Sequence, residues 1–330
     1  MSAEVAVIGS GSWATALTKL LLNNVPRIHW YVRKQEDIVH FNTYGNNPRY
    51  LTSVDFDTSK IIFNDQVAAA VREARIIVLA IPSAFVHTSL KELPPDVFKD
   101  KIVFSAIKGI VPEYNLIVGE YLNKIHGVPF ENIGVITGPC HAEEVALEKL
   151  SYLTIASRTE AYARELATLL NCRYLKTTVS DDIYGTEYSA VLKNVIAVAG
   201  GICHSLGYGD NFLAVLVSNA IQEMKAFVDE VHPIDRDIKA SAYLGDLLVT
   251  AYSQFSRNRL FGAMLGKGYS VKQAQIEMNM IAEGYYAVKC VHEIKQAYNV
   301  SMPITDAVYN IVYRQADVRR EIQKLSELLS

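Results

Sequence analysis

Apolar and polar positions along this 330-residue chain follow two rhythms. In the first half, short runs rich in Val and Ile end in turn residues: "VAVIG", "RIHWYV", "RIIVLAIP", "KIVFSA" and "NIGVITG". Such runs read as strands. Helical patterns such as "WATALTKLLLNN" and "QVAAAVREA" lie between several of them. The alternation predicts a mainly parallel sheet with helices on both faces. Two further strand candidates, "YLTIAS" and "RYLKTT", flank the helix-like "EAYARELATLLN". After about Tyr184 the texture changes to long helical patterns, among them "NFLAVLVSNAIQEMKAFVDEV", "EGYYAVKCVHEIKQAYN" and "PITDAVYNIVYRQ", with no convincing strand. The pattern therefore divides the chain into an α/β domain over residues 1–185 and an all-α domain over 186–330. No Pro- or Ser-rich linker separates them, so one helix is expected to run from the first into the second.

Composition narrows the function. Half of the residues are apolar and a fifth are charged, which is a globular balance. The formal charge of −3 argues against a general nucleic-acid binder. The four cysteines, Cys140, Cys172, Cys203 and Cys290, show no paired short spacing. They predict neither a zinc site nor a disulfide framework, and a reducing cytoplasm is the expected compartment. The first strand is expected to begin at about Glu4, leaving no room for a signal peptide. The most apolar helical stretch contains Lys193 and falls short of the roughly 20 apolar residues that cross a bilayer.

"VAVIGSGSWATAL" has the outline of a dinucleotide cradle. Gly9 permits a sharp turn, Gly11 lets a pyrophosphate approach the backbone, and Ala14 is small enough for the helix to pack on the strand. Ser12 and Trp13 fall where backbone N–H groups of the helix start face a ligand. The bland alternative is a purely structural glycine turn. After the second strand, where an NAD-selective site usually carries Asp or Glu, stand Arg33 and Lys34. A guanidinium there pairs with the 2′-phosphate of NADP or stacks on adenine, so NADPH is the expected cofactor with NADH also open. The alternative is a solvated basic loop.

Three further signals describe two lysines for a carbonyl oxygen and an anion clamp for the substrate's other end. Lys108 follows a strand in "FSAIKGI", at the sheet edge where ligands gather. Lys193 lies in "SAVLKNVIAVAGG", an apolar helical face where an unpaired ammonium costs several kcal/mol. It either snorkels to water or has a partner, and Asp246 in the apolar "AYLGDLLVT" is the matching anion. Finally, "SQFSRNRLFG" offers Ser256 as an N-cap followed by Arg257 and Asn258. A helix start bearing an arginine suits a phosphate or carboxylate, although an ordinary capped helix would look the same.

Taken in order, "GSGSWATAL", "SAIKGI", "ITGPCHAEEVA", "LKNVIAVAGGI", "GYGDN", "LGDLLVTAYSQFSRNRLFG" and "IAEG" resemble the motif series of NAD(P)-dependent glycerol-3-phosphate dehydrogenases, the bacterial type most closely. The likeness spans residues 5 to about 284. It implies a Rossmann-like NAD(P)-binding domain, a helical substrate domain, and interconversion of dihydroxyacetone phosphate and sn-glycerol 3-phosphate for glycerophospholipid synthesis. By motif match Lys193 takes the catalytic acid/base position. Lys108, Gly138, Cys140, Asp246, Ser256, Arg257 and Asn258 fall on substrate-contacting positions. Gly9, Gly11, Ser12, Trp13, Arg33, Lys108, Ala142, Arg257 and Glu283 fall on cofactor-contacting ones. The likeness also implies a homodimer; from composition and hydropathy no metal, nucleic acid or membrane insertion is expected. Three departures stand out: Cys140 replaces the usual Ser or Thr, His141 a common Phe, and Ile107 a usual Thr. A thiol is a weak hydrogen-bond donor, so a substrate contact at Cys140 is expected to weaken or move to backbone. Tyr252 and Phe255 leave the pocket wall open. A related hydroxyacid or sugar-acid oxidoreductase, and a cofactor-binding sensor without turnover, remain the rival readings.

Overall fold

The computed structural model describes residues 5–253, 255–278 and 282–330. Glu4, Gln254 and Ile281, which belong to the expected first strand and to two of the motifs, lie outside the described residues. Contacts between residues divide the chain into two units, 1–107 with 118–183, and 108–117 with 184–330.

The first unit is built on an eight-stranded sheet. Its strands are β1 (Val5–Ile8), β2 (Ile28–Tyr31), β3 (Ile61–Asn64), β4 (Ile76–Leu79) and β5 (Ile102–Ser105). A two-stranded antiparallel hairpin, β6 (Ile110–Val111) with β7 (Leu116–Ile117), belongs to the other unit. The sheet resumes with β8 (Ile133–Thr137), β9 (Ser151–Ser157) and β10 (Leu175–Ser180). The strand order is β10-β9-β8-β5-β4-β1-β2-β3. Every pairing is parallel except that of β8 with β9. Central β1, β4 and β5 are buried at every position, as unbroken Val and Ile runs in a parallel sheet require. Because β1, β2, β4, β5 and β8 all run the same way, the residues that follow them line one edge of the sheet. Gly9, Arg33, Ile107 and Gly138 share that edge, and ligands of open α/β sheets bind there.

β3 has no counterpart among the expected strands. It is a four-residue edge strand, half-exposed at three positions, so it carries little of the apolar continuity that marks the others. Beneath β2 and β3 lies an aromatic cluster, with Trp30 packed against Phe41, Phe56 and Phe63 at ring separations of 4.9, 5.4 and 5.9 Å. Helix α1 (Ser12–Leu21) follows β1 and buries Ala14, Leu17, Leu20 and Leu21 in the same core.

The second unit is helical apart from the short hairpin. Helix α2 (Ile183–Ser205) starts where the two units divide, and every residue from Gly185 to Cys203 is buried. A helix buried on all sides lies inside a core, and the polar groups on it must find partners there. Around it stand α3 (Asp210–Val231), α4 (Asp246–Tyr252), α5 (Arg257–Gly266), α6 (Glu283–Tyr298), α7 (Pro303–Tyr313) and α8 (Val318–Leu328). α2 and α5 approach backbone to backbone. A methyl group on Gly201 would lie 2.0 Å from the Arg259 carbonyl oxygen, and one on Gly262 would lie 2.0 Å from that of Val198. The N-terminus of α7 is capped by a buried side chain of α3: Glu223 accepts from the Ile304 N–H (2.8 Å), the Thr305 N–H (3.1 Å) and the Thr305 hydroxyl (2.6 Å). Burial pushes that carboxyl up to about 7.

Candidate active site

In the first unit, Gly9 has φ +130°, and a Cβ there would sit 2.4 Å from the Ala80 carbonyl oxygen. Only glycine turns that corner. Gly11, by contrast, has open space where its Cβ would be. Gly11 also serves as N-cap of the ten-residue α1, with no side-chain cap and no acidic residue in the first turn. Open space at Gly11 over a helix start whose first turn carries no acidic residue fits the pyrophosphate of a dinucleotide. Ser12 is buried and Trp13 half-buried at that helix start.

Arg33 is exposed two residues beyond β2. The acids that follow it are held by basic side chains: Lys34 reaches Glu36 at 3.1 Å, and Arg49 reaches Asp37 at 3.1 Å. These carboxylates are therefore committed within the protein. Past β8, Gly138 has φ +121°, and a Cβ there would lie 2.9 Å from the Tyr152 carbonyl oxygen. Cys140 is buried, and Ala142, also buried, opens the short helix Ala142–Ala146.

In the second unit the charged residues converge. Lys193 of α2 and Asp246 of α4 are 5% and 1% exposed. Lys193 Nζ donates to Asp246 Oδ1 at 2.5 Å and to Thr250 Oγ1 at 2.9 Å. Lys108 Nζ lies 3.2 Å from the other oxygen, Asp246 Oδ2. One carboxylate thus faces two ammonium groups. The Asn194 side-chain amide donates to the Lys108 carbonyl at 2.7 Å, tying the start of the 108–117 excursion to α2. Burial pushes the Lys193 ammonium well below the usual lysine value; Asp246 opposes that shift and Lys108 adds to it. A turn of π-helix, Ser241–Gly245, runs directly into α4 and delivers Asp246 to this position.

The anion-binding candidates sit at the start of α5. Ser256 caps it, its hydroxyl accepting from the Arg259 N–H at 3.2 Å, and Arg257 is the first helical residue. Asn258 is buried, and its Oδ1 accepts from the Gly284 N–H at 2.9 Å. That bond ties α5 to the first turn of α6, where Glu283 stands. A Cβ on Gly284 would lie 2.7 Å from the Asn194 carbonyl oxygen, so α6 also abuts α2. Tyr252 and Phe255 are exposed.

Thr250 is the residue that sequence reasoning missed. It lies one turn beyond Asp246, its hydroxyl donating to the Asp246 carbonyl at 2.7 Å while accepting from Lys193. The i, i+4 spacing from Asp246 in "GDLLVT" was the available signal. In the first unit the structure brings the glycine turn and the residues after β2 and β8 to one sheet edge. In the second it gathers Lys108, Lys193, Asp246 and Thr250 into one network, with Ser256, Arg257 and Asn258 on a single helix start.

Known proteins resemble this chain over nearly its whole length. Residues 4–163 match the model for the NAD-dependent glycerol-3-phosphate dehydrogenase N-terminus, and residues 182–323 that for its C-terminus. A glycerol-3-phosphate dehydrogenase, NAD(P)+, of Exiguobacterium is 34% identical over 324 residues, covering 98% of this chain and 95% of its own. Its counterpart from Macrococcus caseolyticus is 31% identical, with 98% and 97% covered. The crystal structure of glycerol-3-phosphate dehydrogenase from Coxiella burnetii superposes with a TM-score of 0.91 at 27% identity, covering 98% of each chain. A ketopantoate reductase from Ralstonia eutropha shares the fold at a TM-score of 0.61 and 14% identity, covering 98% of this chain and 99% of its own. The chain belongs to the NAD-dependent glycerol-3-phosphate dehydrogenase family.

Proposed function

We propose that this chain reduces the C2 carbonyl of dihydroxyacetone phosphate with NADH or NADPH, giving sn-glycerol 3-phosphate for glycerophospholipid synthesis. The observation that carries the reading is the buried network of Lys193, Asp246, Lys108 and Thr250. When bound, a reduced nicotinamide supplies the hydride that adds to the carbonyl carbon. The residues of the turn, Gly9, Gly11, Ser12 and Trp13, hold the dinucleotide, and Ala142 contacts it. Arg33 takes the ribose end and favours acceptance of NADPH, since the nearby carboxylates are already committed. Lys108, Arg257 and Glu283 keep the cofactor-contacting roles that the motif match assigns.

Lys193 donates its Nζ proton to the oxygen that becomes the C2 hydroxyl. Lys108 adds a second positive charge that stabilises the same oxygen as negative charge develops on it. Asp246 and Thr250 fix the Lys193 side chain so that little reorganisation accompanies the transfer. Arg257 holds the phosphate by its guanidinium fork, helped by the capped start of α5 and by Asn258. Gly138 and Cys140 make the remaining substrate contacts, the former through backbone.

Two substitutions separate these roles. Lys193→Ala is expected to lower kcat by roughly 10²–10⁴-fold with the fold intact, the range for a lost proton donor. Arg257→Lys is expected chiefly to raise KM for dihydroxyacetone phosphate, because a point charge cannot copy a bidentate fork. Steady-state kinetics showing turnover within a few-fold for the first, or unchanged KM for the second, would sink the corresponding role.

We also propose a homodimer in a reducing cytoplasm. The four cysteines are free thiols, and among the described residues no helix is long and apolar enough to cross a membrane. Exposed Leu248, Tyr252 and Leu260 on α4 and α5 offer apolar surface for self-association. Sedimentation as a monomer, or recovery in the membrane fraction of lysed cells, contradicts this part of the reading.

A further inference from the structure

The Gly9–Gly11 turn is held from behind. The Trp30 indole Nε1 donates to the Gly9 carbonyl at 2.7 Å. The Asn47 side-chain amide donates to the Ser10 carbonyl at 3.1 Å. The Gly11 carbonyl accepts from Thr15 twice, from its N–H at 2.9 Å and its hydroxyl at 3.0 Å. The three groups come from β2, from the 46–50 segment and from α1. Asn47 joins two of them, since its amide also donates to the Thr15 hydroxyl at 2.9 Å. All three anchors are buried: Trp30 and Thr15 completely, Asn47 at 2% exposure.

A trans peptide unit points its N–H opposite to its C=O. Fixing the carbonyls of Gly9, Ser10 and Gly11 therefore fixes the N–H groups of Ser10, Gly11 and Ser12 in the opposite direction, out of the core. The indole packs among Phe41, Phe56 and Phe63, and its hydrogen bond to Gly9 sets its orientation. The Asn47 amide is likewise set by its own carbonyl oxygen, which accepts from the Arg49 N–H (3.0 Å) and the Tyr50 N–H (3.1 Å).

We propose that Trp30 and Asn47 are positioning residues for cofactor binding, holding the turn in its anion-receiving form before any ligand arrives. The proposal rests on the reading of this turn as the dinucleotide site. A turn already fixed pays no ordering cost on binding, and losing one anchor returns that cost as weaker affinity.

The test is calorimetric titration with NADPH and NADH, alongside hydrogen exchange of the residue 9–15 amides. Trp30→Phe removes the indole donor, and Phe41→Leu serves as a control that loosens the same cluster but keeps the donor. Trp30→Phe is expected to raise Kd roughly three- to tenfold, the size of one hydrogen bond, and to speed exchange at Ser10–Ser12. Phe41→Leu is expected to lower the melting temperature with Kd within about twofold of wild type. Asn47→Asp keeps the acceptor for Arg49 and Tyr50 but removes the donor to Ser10, and is expected to raise Kd at least as far. It decides alone if Trp30→Phe does not fold. Wild-type binding with Trp30→Phe and Asn47→Asp both within twofold, or equal weakening in Phe41→Leu, overturns the positioning roles. A folded wild-type chain that binds neither nucleotide overturns the cofactor reading and this proposal together.

Discussion

Asp246 divides one carboxylate between two lysines, and this decides how the site should respond to pH. With Lys193 as the proposed proton donor, reduction requires it to carry its proton, so the rate is expected to hold below its pKa and fall above it. Burial sets that pKa below the lysine value of about 10.4, and the carboxylate is what keeps it from falling further. The alkaline limb of kcat/KM for reduction is therefore expected well below 10.4. Asp246→Asn removes the charge that favours the ammonium, so the limb should move to still lower pH while kcat drops. In the oxidising direction the lysine must be neutral, and the same group should give a rate that rises with pH. A reduction limb at or above 10.4, or an alkaline shift in Asp246→Asn, contradicts the role given to this pair. Much of the network is legible in the sequence because a Lys and an Asp stand out in apolar helices. Thr250 is not, since a threonine in a helix pattern is equally at home as filler.

At the scale of elements, glycines set the distance between the helices that carry the site. α2 bears Lys193 and α5 begins at Arg257, and Gly201 and Gly262 let their backbones touch. Gly201→Ala would drive a methyl group into a carbonyl oxygen of α5, and backbone cannot yield as a flexible side chain does. Overpacking of this kind costs about 1–3 kcal/mol. Thermal denaturation should show a loss of about 2–4 °C for each kcal/mol. An unchanged melting temperature would mean that the helices are free to separate. Helices α3, α6 and α7 are readable in the sequence to within two residues of their ends, because each repeats its apolar face over several turns, whereas α8 is not among the expected elements. β3 is not, because as a partly exposed edge strand it lacks the apolar continuity of the others, and neither are the hairpin strands β6 and β7, because two residues cannot establish a period. The π-helical turn before Asp246 is a matter of backbone hydrogen bonding and leaves no mark on the pattern of apolar positions.

For the whole molecule, the change of texture near Tyr184 already separates an α/β half from a helical one. The excursion of 108–117 could not be read that way. Its membership depends on Ile110 and Ile117 packing with the helical core, a contact between residues far apart in sequence. The chemistry follows the same logic. The glycine turn sits at a sheet edge suited to a dinucleotide, and the lysine network lies in the helical unit. Neither alone specifies a reaction. Together with family membership they assign reduction of a small phosphorylated ketone, and the most direct test is to offer that ketone. Purified protein is mixed with dihydroxyacetone phosphate and either NADH or NADPH, and loss of reduced-nicotinamide absorbance is followed. Rapid loss dependent on the ketone is the predicted result, with NADPH accepted. No loss with either cofactor, from folded protein that binds NADPH, would contradict the assignment.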